Sequence, residues 1–251
     1  MIKTYSTLFT AILCLATSAI HAQNYQRDKS QKVCAVLLEN RSVSKALYYK
    51  DIMDEYRAFH VGTQSRGGGN IQPLSNRLNL YTKGLDQKGE VVYTPAISLE
   101  IPPVEQVLVV FYYDNKRDLN FQVYDDTAEA HPPGTGRLIN LTKNNVVGKI
   151  GDQAFKLRPW SSMLSDVLTK EKRTRFQFGY VMDIDGKYNA DPSIDTFRIP
   201  NSKMRWLAIF TYFDYKEQAG KDVITTRLPK VVRMLDAPLL PEKEQSYSAM
   251  P

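Results

Sequence analysis

Short runs of Val, Ile, Tyr, Phe and Thr recur along the chain, broken by Gly, Pro, Asn and Asp. That rhythm predicts β-strands joined by turns. Strands are expected at 33–39, 46–50, 56–61, 78–82, 91–93, 97–101, 106–113 and 120–124. Others follow at 136–141, 146–150, 154–157, 175–182, 196–199, 205–215 and 223–232. Residues 46–59 fit a hairpin, although Leu47, Met53 and Tyr56 could also line a helix. Residues 161–169 predict the one helix, capped by Ser161 or Ser162, with Met163, Leu164, Val167 and Leu168 on its apolar face. Arg66-Gly67-Gly68-Gly69-Asn70 reads as a flexible loop. No Gly-Lys-Ser/Thr follows it, so it is not a phosphate cradle. No internal repeat is evident.

Two strands are apolar at every position. They are Val107-Leu108-Val109-Val110-Phe111-Tyr112-Tyr113 and Trp206-Leu207-Ala208-Ile209-Phe210. A strand with one wet face alternates, so both faces of these two should be covered. Each such side chain is worth ~1.5–3 kcal/mol when fully buried. The regular spacing of short strands points to an antiparallel β-sandwich.

The chain has 251 residues. Its first 22 read as a secretory signal peptide: Lys3, an apolar run from Leu8 to Ile20, and a cleavage site at Ile20-His21-Ala22. Removal of that leader takes Cys14 and leaves Cys34 alone, excluding an internal disulfide and making the core the source of stability. Cys34 lies in an apolar run and reads as a buried thiol. No later segment approaches the ~20 apolar residues of a membrane span. Lys and Arg total 33 against 27 acids, without a basic stripe, so no nucleic-acid partner is expected. Pro102-Pro103 marks a boundary. The expected organisation is a signal peptide (1–22), an N-terminal β region (23–102) packing on a sandwich (103–235), and a disordered tail (236–251).

Pro133-Gly134-Thr135-Gly136-Arg137-Leu138-Ile139-Asn140-Leu141-Thr142 resembles a group of exported bacterial proteins of unknown function. So do the hairpin expected at 146–157, the Val-rich strand with Asp125-Asp126, Leu47-Tyr48-Tyr49 and the Trp206 strand. The resemblance implies an immunoglobulin-like sandwich and a bacterial source. It brings no activity and no site residues. One departure is Trp160, where a turn glycine would be expected after Pro159. Asn140 is expected to satisfy loop backbone groups at a strand end.

Candidate chemistry is sparse. After the leader only His60 and His131 remain, in no metal-binding spacing, and His131 before Pro132-Pro133 reads as an exposed loop residue. No Gly-x-Ser-x-Gly elbow is present. Asp183, Asp185, Asn189, Asp191 and Asp195 crowd into thirteen positions and could hold calcium, with Asp183, Asp185 and Asp191 as the candidate ligands, but Asp185-Gly186 between strands is also a hairpin turn. Asp125-Asp126 could supply a carboxylate to a hydrolase, or form a turn or solvate a hairpin end. The 15 tyrosines, 10 phenylalanines and 2 tryptophans suggest core packing, with Trp160 as the candidate surface ring for a glycan.

The expectation is therefore all-β: an antiparallel immunoglobulin-like sandwich with an additional N-terminal β region. It would act in the periplasm or outside the cell as a non-enzymatic structural or interaction protein, without a cofactor. A glycan-binding module and a carboxylate-dependent hydrolase are the alternatives.

Overall fold

The computed structural model describes residues 30–38, 46–72, 76–113, 118–166, 175–184, 187–188, 193–198, 204–219 and 222–236. Residues 1–29, which include the expected signal peptide, and 237–251, which make up most of the expected tail, lie outside them. All described elements are strands, arranged in four sheets. The chain forms two compact units that meet in sequence between Asp125 and Asp126. Leu38 and Thr63–Arg66 group with the second unit, so the two-residue strand Gly62–Thr63, which pairs with a strand of the first unit, straddles the division.

The first unit contains β1 (Gln31–Leu37), β2 (Leu47–Lys50), β3 (Tyr56–Phe59), β4 (Gly62–Thr63), β5 (Gly67–Ile71), β6 (Arg77–Leu85), β7 (Val91–Glu100), β8 (Gln106–Tyr113) and β9 (Leu119–Asp125). One sheet runs β4-β1-β8-β9, with β5 also on β1; the other runs β3-β2-β6-β7. Val33, Ala35, Leu37, Val107, Val109 and Phe111 from the first sheet share a core with Leu47, Phe59, Leu78, Leu80 and Leu99 from the second. The Pro102-Pro103 break falls between β7 and β8 inside this unit, because β8 pairs with β1.

The second unit contains β10 (Gly136–Asn140), β11 (Val146–Ile150), β12 (Gln153–Leu157), β13 (Ser162–Ser165), β14 (Arg175–Ile184), β15 (Lys187–Tyr188), β16 (Ser193–Arg198), β17 (Arg205–Ala219) and β18 (Asp222–Asp236). Its sheets run β13-β10-β17-β18 and β12-β11-β14-β15, with β16 also on β14. Their shared core holds Leu138, Trp206, Ala208 and Phe210 against Val146, Phe155, Leu157, Phe178 and Met182.

The two units repeat one topology. In the first, β1 lies between β5, antiparallel, and β8, parallel. In the second, β10 lies between β13, antiparallel, and β17, parallel. The hairpin β2–β3 joins β6, as β11–β12 joins β14. β6 then pairs with β7 as β14 pairs with β16, and β8 with β9 as β17 with β18. The chain therefore carries an internal repeat of one sandwich. The parallel pairs depart from the antiparallel expectation. The strand order also differs from an immunoglobulin domain, whose first strand joins the second, fifth and fourth.

Most expected strands are present, and β8 and the first half of β17 are buried at successive positions, hence on both faces. Three local expectations fail. The helix over 161–169 is contradicted: Ser162–Ser165 is β13, paired with β10. Its burial alternates, with Leu164 exposed and Ser165 buried, which is the period of a strand. The glycine-rich loop is β5, pressed against β1. The segments 91–93 and 97–101 are one strand, β7, which runs through Pro95 with a register shift opposite Leu80/Tyr81. Pro95 fits there because β7 is an edge strand.

Candidate functional site

The second unit buries an ionic cluster. Asp126 follows β9, and the chain then turns through 127–131, where the His131 N–H donates to the Thr127 carbonyl at 2.9 Å. That turn brings His131 back over Asp126. Arg205 opens β17, so its side chain is delivered by a strand whose first residues are buried in succession. Arg66 comes from the short stretch Thr63–Arg66.

One Asp126 carboxylate oxygen, Oδ2, accepts from Arg66 Nη1 at 2.5 Å and from Arg205 Nη2 at 3.3 Å. The other, Oδ1, lies 3.1 Å from His131 Nδ1. Arg205 Nη1 also donates to the Asp126 carbonyl at 2.8 Å and to the His131 carbonyl at 3.3 Å. Arg137, in β10, donates to the Ala130 carbonyl at 2.8 Å and closes the same turn. Asp126, His131 and Arg205 have side chains 0%, 0% and 1% exposed. Burial alone would push the Asp126 carboxyl up. The His131 hydrogen bond and the charges of Arg66 and Arg205 outweigh it and hold the group well below the usual carboxylate range. Burial pushes His131 down, helped by Arg205 and Arg137 and opposed by Asp126. The neutral ring thus donates from Nδ1, and its Nε2 is buried with no hydrogen-bond partner among the described residues.

This geometry corrects two expectations. His131 is not an exposed loop residue, because the 127–131 turn folds it inward. Asp126 does not solvate a hairpin end; it is the counter-ion of two guanidiniums. Chemically the carboxylate is saturated with donors and closed to solvent, so its role is to neutralise buried cations. Asp125, the last residue of β9, is only half-buried.

Asn140 behaves as the sequence suggests. Its Nδ2 donates to the carbonyls of Asn144 and Arg158 at 2.8 and 2.9 Å. Its Oδ1 accepts from Thr142 N and Oγ1 at 3.0 and 2.7 Å. One amide therefore ties the loop after β10 to the end of the β11–β12 hairpin.

Trp160 occupies the turn between β12 and β13, 52% exposed, with φ of 57°. That left-handed backbone is the conformation a turn glycine would supply. The tyrosines are differently used. On the β3-β2-β6-β7 sheet, Tyr56 stacks on Tyr93 with centroids 3.8 Å apart. Tyr81 meets Tyr56 edge-on, and Tyr48 meets Tyr93 edge-on. β3 and β7 are opposite edges of that sheet, so the four rings close over its outer face by packing on one another.

Asp183 lies in β14, paired with Tyr188. Its side chain, and all of Asp185 and Asp191, lie outside the described residues. The ladder closes at Ile184 opposite Lys187, the positions flanking Asp185-Gly186. Among the described residues no three His, Cys, Asp or Glu side chains group as a metal site. No described helix is long and apolar enough to cross a membrane. Neither the models of known protein families nor the curated proteins contain a match to this chain.

Proposed function

We propose that this is an exported, non-enzymatic interaction protein of the bacterial envelope, built from two sandwiches of broadly immunoglobulin-like layering. Many cell-surface domains share that layering without sharing strand order. The observation that carries the reading is where the first unit leaves apolar side chains in water. Ile52 and Met53 are exposed in the β2–β3 turn; Leu85, Val91 and Val92 are exposed at the tip of the β6–β7 hairpin. The two turns lie at opposite ends of one sheet, because β2 runs antiparallel to β6 with Leu47 opposite Thr82. The patch is therefore the Leu85, Val91 and Val92 tip, and exposed large apolar groups gathered in this way mark contact sites. The saturation of Asp126 supports the same reading, since that carboxylate is committed to its arginines.

The test combines fractionation with a photo-crosslinking amino acid at position 85. The chain should be recovered from the envelope beginning near Gln23, and should give a discrete protein adduct. Val91→Asp should remove that adduct while leaving the fold intact. A cytoplasmic protein that retains its leader, or an adduct indifferent to Val91→Asp, refutes the reading.

A second reading, a glycan-binding module, is favoured by Trp160 alone. A half-exposed indole held in a left-handed turn costs about 1–2 kcal/mol relative to glycine, which suggests a use for the ring. Retention on a polysaccharide column, lost in Trp160→Ala, is the expected result for this reading. The Tyr48, Tyr56, Tyr81 and Tyr93 rings are engaged with one another rather than set out as a platform.

A further inference from the structure

The repeat exposes an addition. In the first unit the β8–β9 ladder ends at Tyr113 opposite Leu119. Phe111 and Phe210 occupy the same place in the two cores, opposite Leu37 and Asn140 on the parallel neighbour. Tyr212, opposite Pro229, therefore corresponds to Tyr113. The β17–β18 ladder continues past that point, from Phe213 opposite Leu228 to Ala219 opposite Asp222. Seven further pairs at ~3.4 Å each make an arm about 24 Å long. β10 accompanies β17 only as far as Phe210. Beyond it the arm is two-stranded among the described residues, and β18 is the last strand of its sheet. A two-stranded ribbon is marginal in water, and a third strand stabilises it. The first unit shows that the sandwich closes without such an arm.

We propose that β18 pairs antiparallel with β18 of a second copy of this chain, about a two-fold axis at Thr226. The occupant is read from the order of residue types along alternate positions of β18, through the arm and up to Lys230: Asp222, Ile224, Thr226, Leu228, Lys230. An axis perpendicular to the sheet sets position i opposite 452 minus i. Asp222 then lies opposite Lys230, Ile224 opposite Leu228, and Thr226 opposite itself, with each unlike pair formed twice. Opposite charges, apolar pairs and Thr–Thr pairs are the combinations that stabilise directly opposed positions. The paired stretch is the arm extended by Pro229 and Lys230; Lys230 lies opposite Thr211, one step beyond the reach of β10. Pro229 has no N–H, so the new ladder lacks one donor near each end, where Pro229 lies opposite Val223. Centring the axis at Ile224 instead sets Arg227 opposite Lys221, and centring it at Thr225 sets Asp222 opposite Leu228. The Thr226 register is thus selected by charge. The assembly is isologous and closed, a dimer with a continuous sheet across the axis.

Sedimentation or light scattering of the purified protein should show a dimer at about 100 µM that dissociates on dilution. Asp222→Lys, which sets lysine opposite Lys230, should weaken dimerisation about tenfold or more. The double change Asp222→Lys with Lys230→Asp should restore it. Thr226→Cys, which leaves the charges in place, should form a disulfide-linked dimer on mild oxidation; Cys34 is buried and does not compete. A monomeric wild type at that concentration overturns the proposal. So does a dimer that ignores Asp222→Lys, or a Thr226→Cys protein that does not cross-link.

Discussion

Asp126→Ala is expected to lower the unfolding free energy of the second unit by about 3–5 kcal/mol at neutral pH, the usual result of removing one partner from a buried ion pair. The expectation follows from what remains. Arg205 stays buried, losing its contact with the carboxylate at 3.3 Å, and Arg66 loses its one at 2.5 Å. The His131 Nδ1 loses its acceptor as well. No comparable loss attends an exposed pair. Arg77 and Glu100 lie 3.1 Å apart, but their side chains are 63% and 82% exposed. Glu100→Gln should therefore change stability by less than about 1 kcal/mol. Urea titrations of the two variants measure the contrast, and equal losses would show that the cluster is not anchoring the unit.

The same cluster sets a direction for pH. The Asp126 value is lower folded than unfolded. Its contribution is therefore fully present above the unfolded carboxylate value near 4 and lost as pH falls through the folded one. The His131 value is also lower folded than unfolded. Its neutral form is favoured by folding, so acidification below about 6.5 already works against the native state. Both signs agree: the wild-type urea midpoint should fall from pH 7 to pH 4. The gap between wild type and Asp126→Ala should begin to close only below about pH 4.

What the residues disclosed in advance depended on whether the interaction was local. Strand periodicity is local, and strands such as β8, β11 and β12 follow directly from runs of Val, Ile and Phe. Asn140 was legible because its partners lie within the adjoining loops. The ionic cluster was not, since it joins positions 66, 126, 131 and 205 through long-range pairing. Its one visible sign was Arg205, a charge set against the uninterrupted apolar run of β17. A charged residue at such a place is rarely buried without a partner. The repeat was hidden for another reason. The two cores solve the same packing with different residues: Val107 and Val33 in one, Trp206 and Gly136 in the other. A Cβ on Gly136 would fall within 1.8 Å of the Trp206 ring, so the bulk has moved from one strand to its neighbour.

The glycine run was misread because the composition that loosens a loop also permits close approach of two backbones, and Gly68→Ala tests which applies. Gly68 sits opposite Cys34 in the β1–β5 ladder with φ of 105°. An added Cβ would stand 1.9 Å from the Val33 carbonyl oxygen, a backbone atom of a fully buried residue that cannot rotate away. The substitution therefore combines a backbone conformation costing about 1–3 kcal/mol with an overlap costing a similar amount. A loss of about 3 kcal/mol or more is expected in the first unit, together with faster amide exchange along β1. Gly69 is the internal control. It lies one residue on in the same strand, nothing stands within 4 Å of its Cβ position, and no positive φ is involved. Gly69→Ala should be neutral or stabilising by up to about 1 kcal/mol through the unfolded chain. A flexible loop would treat the two substitutions alike; a strand pressed against β1 separates them by several kilocalories.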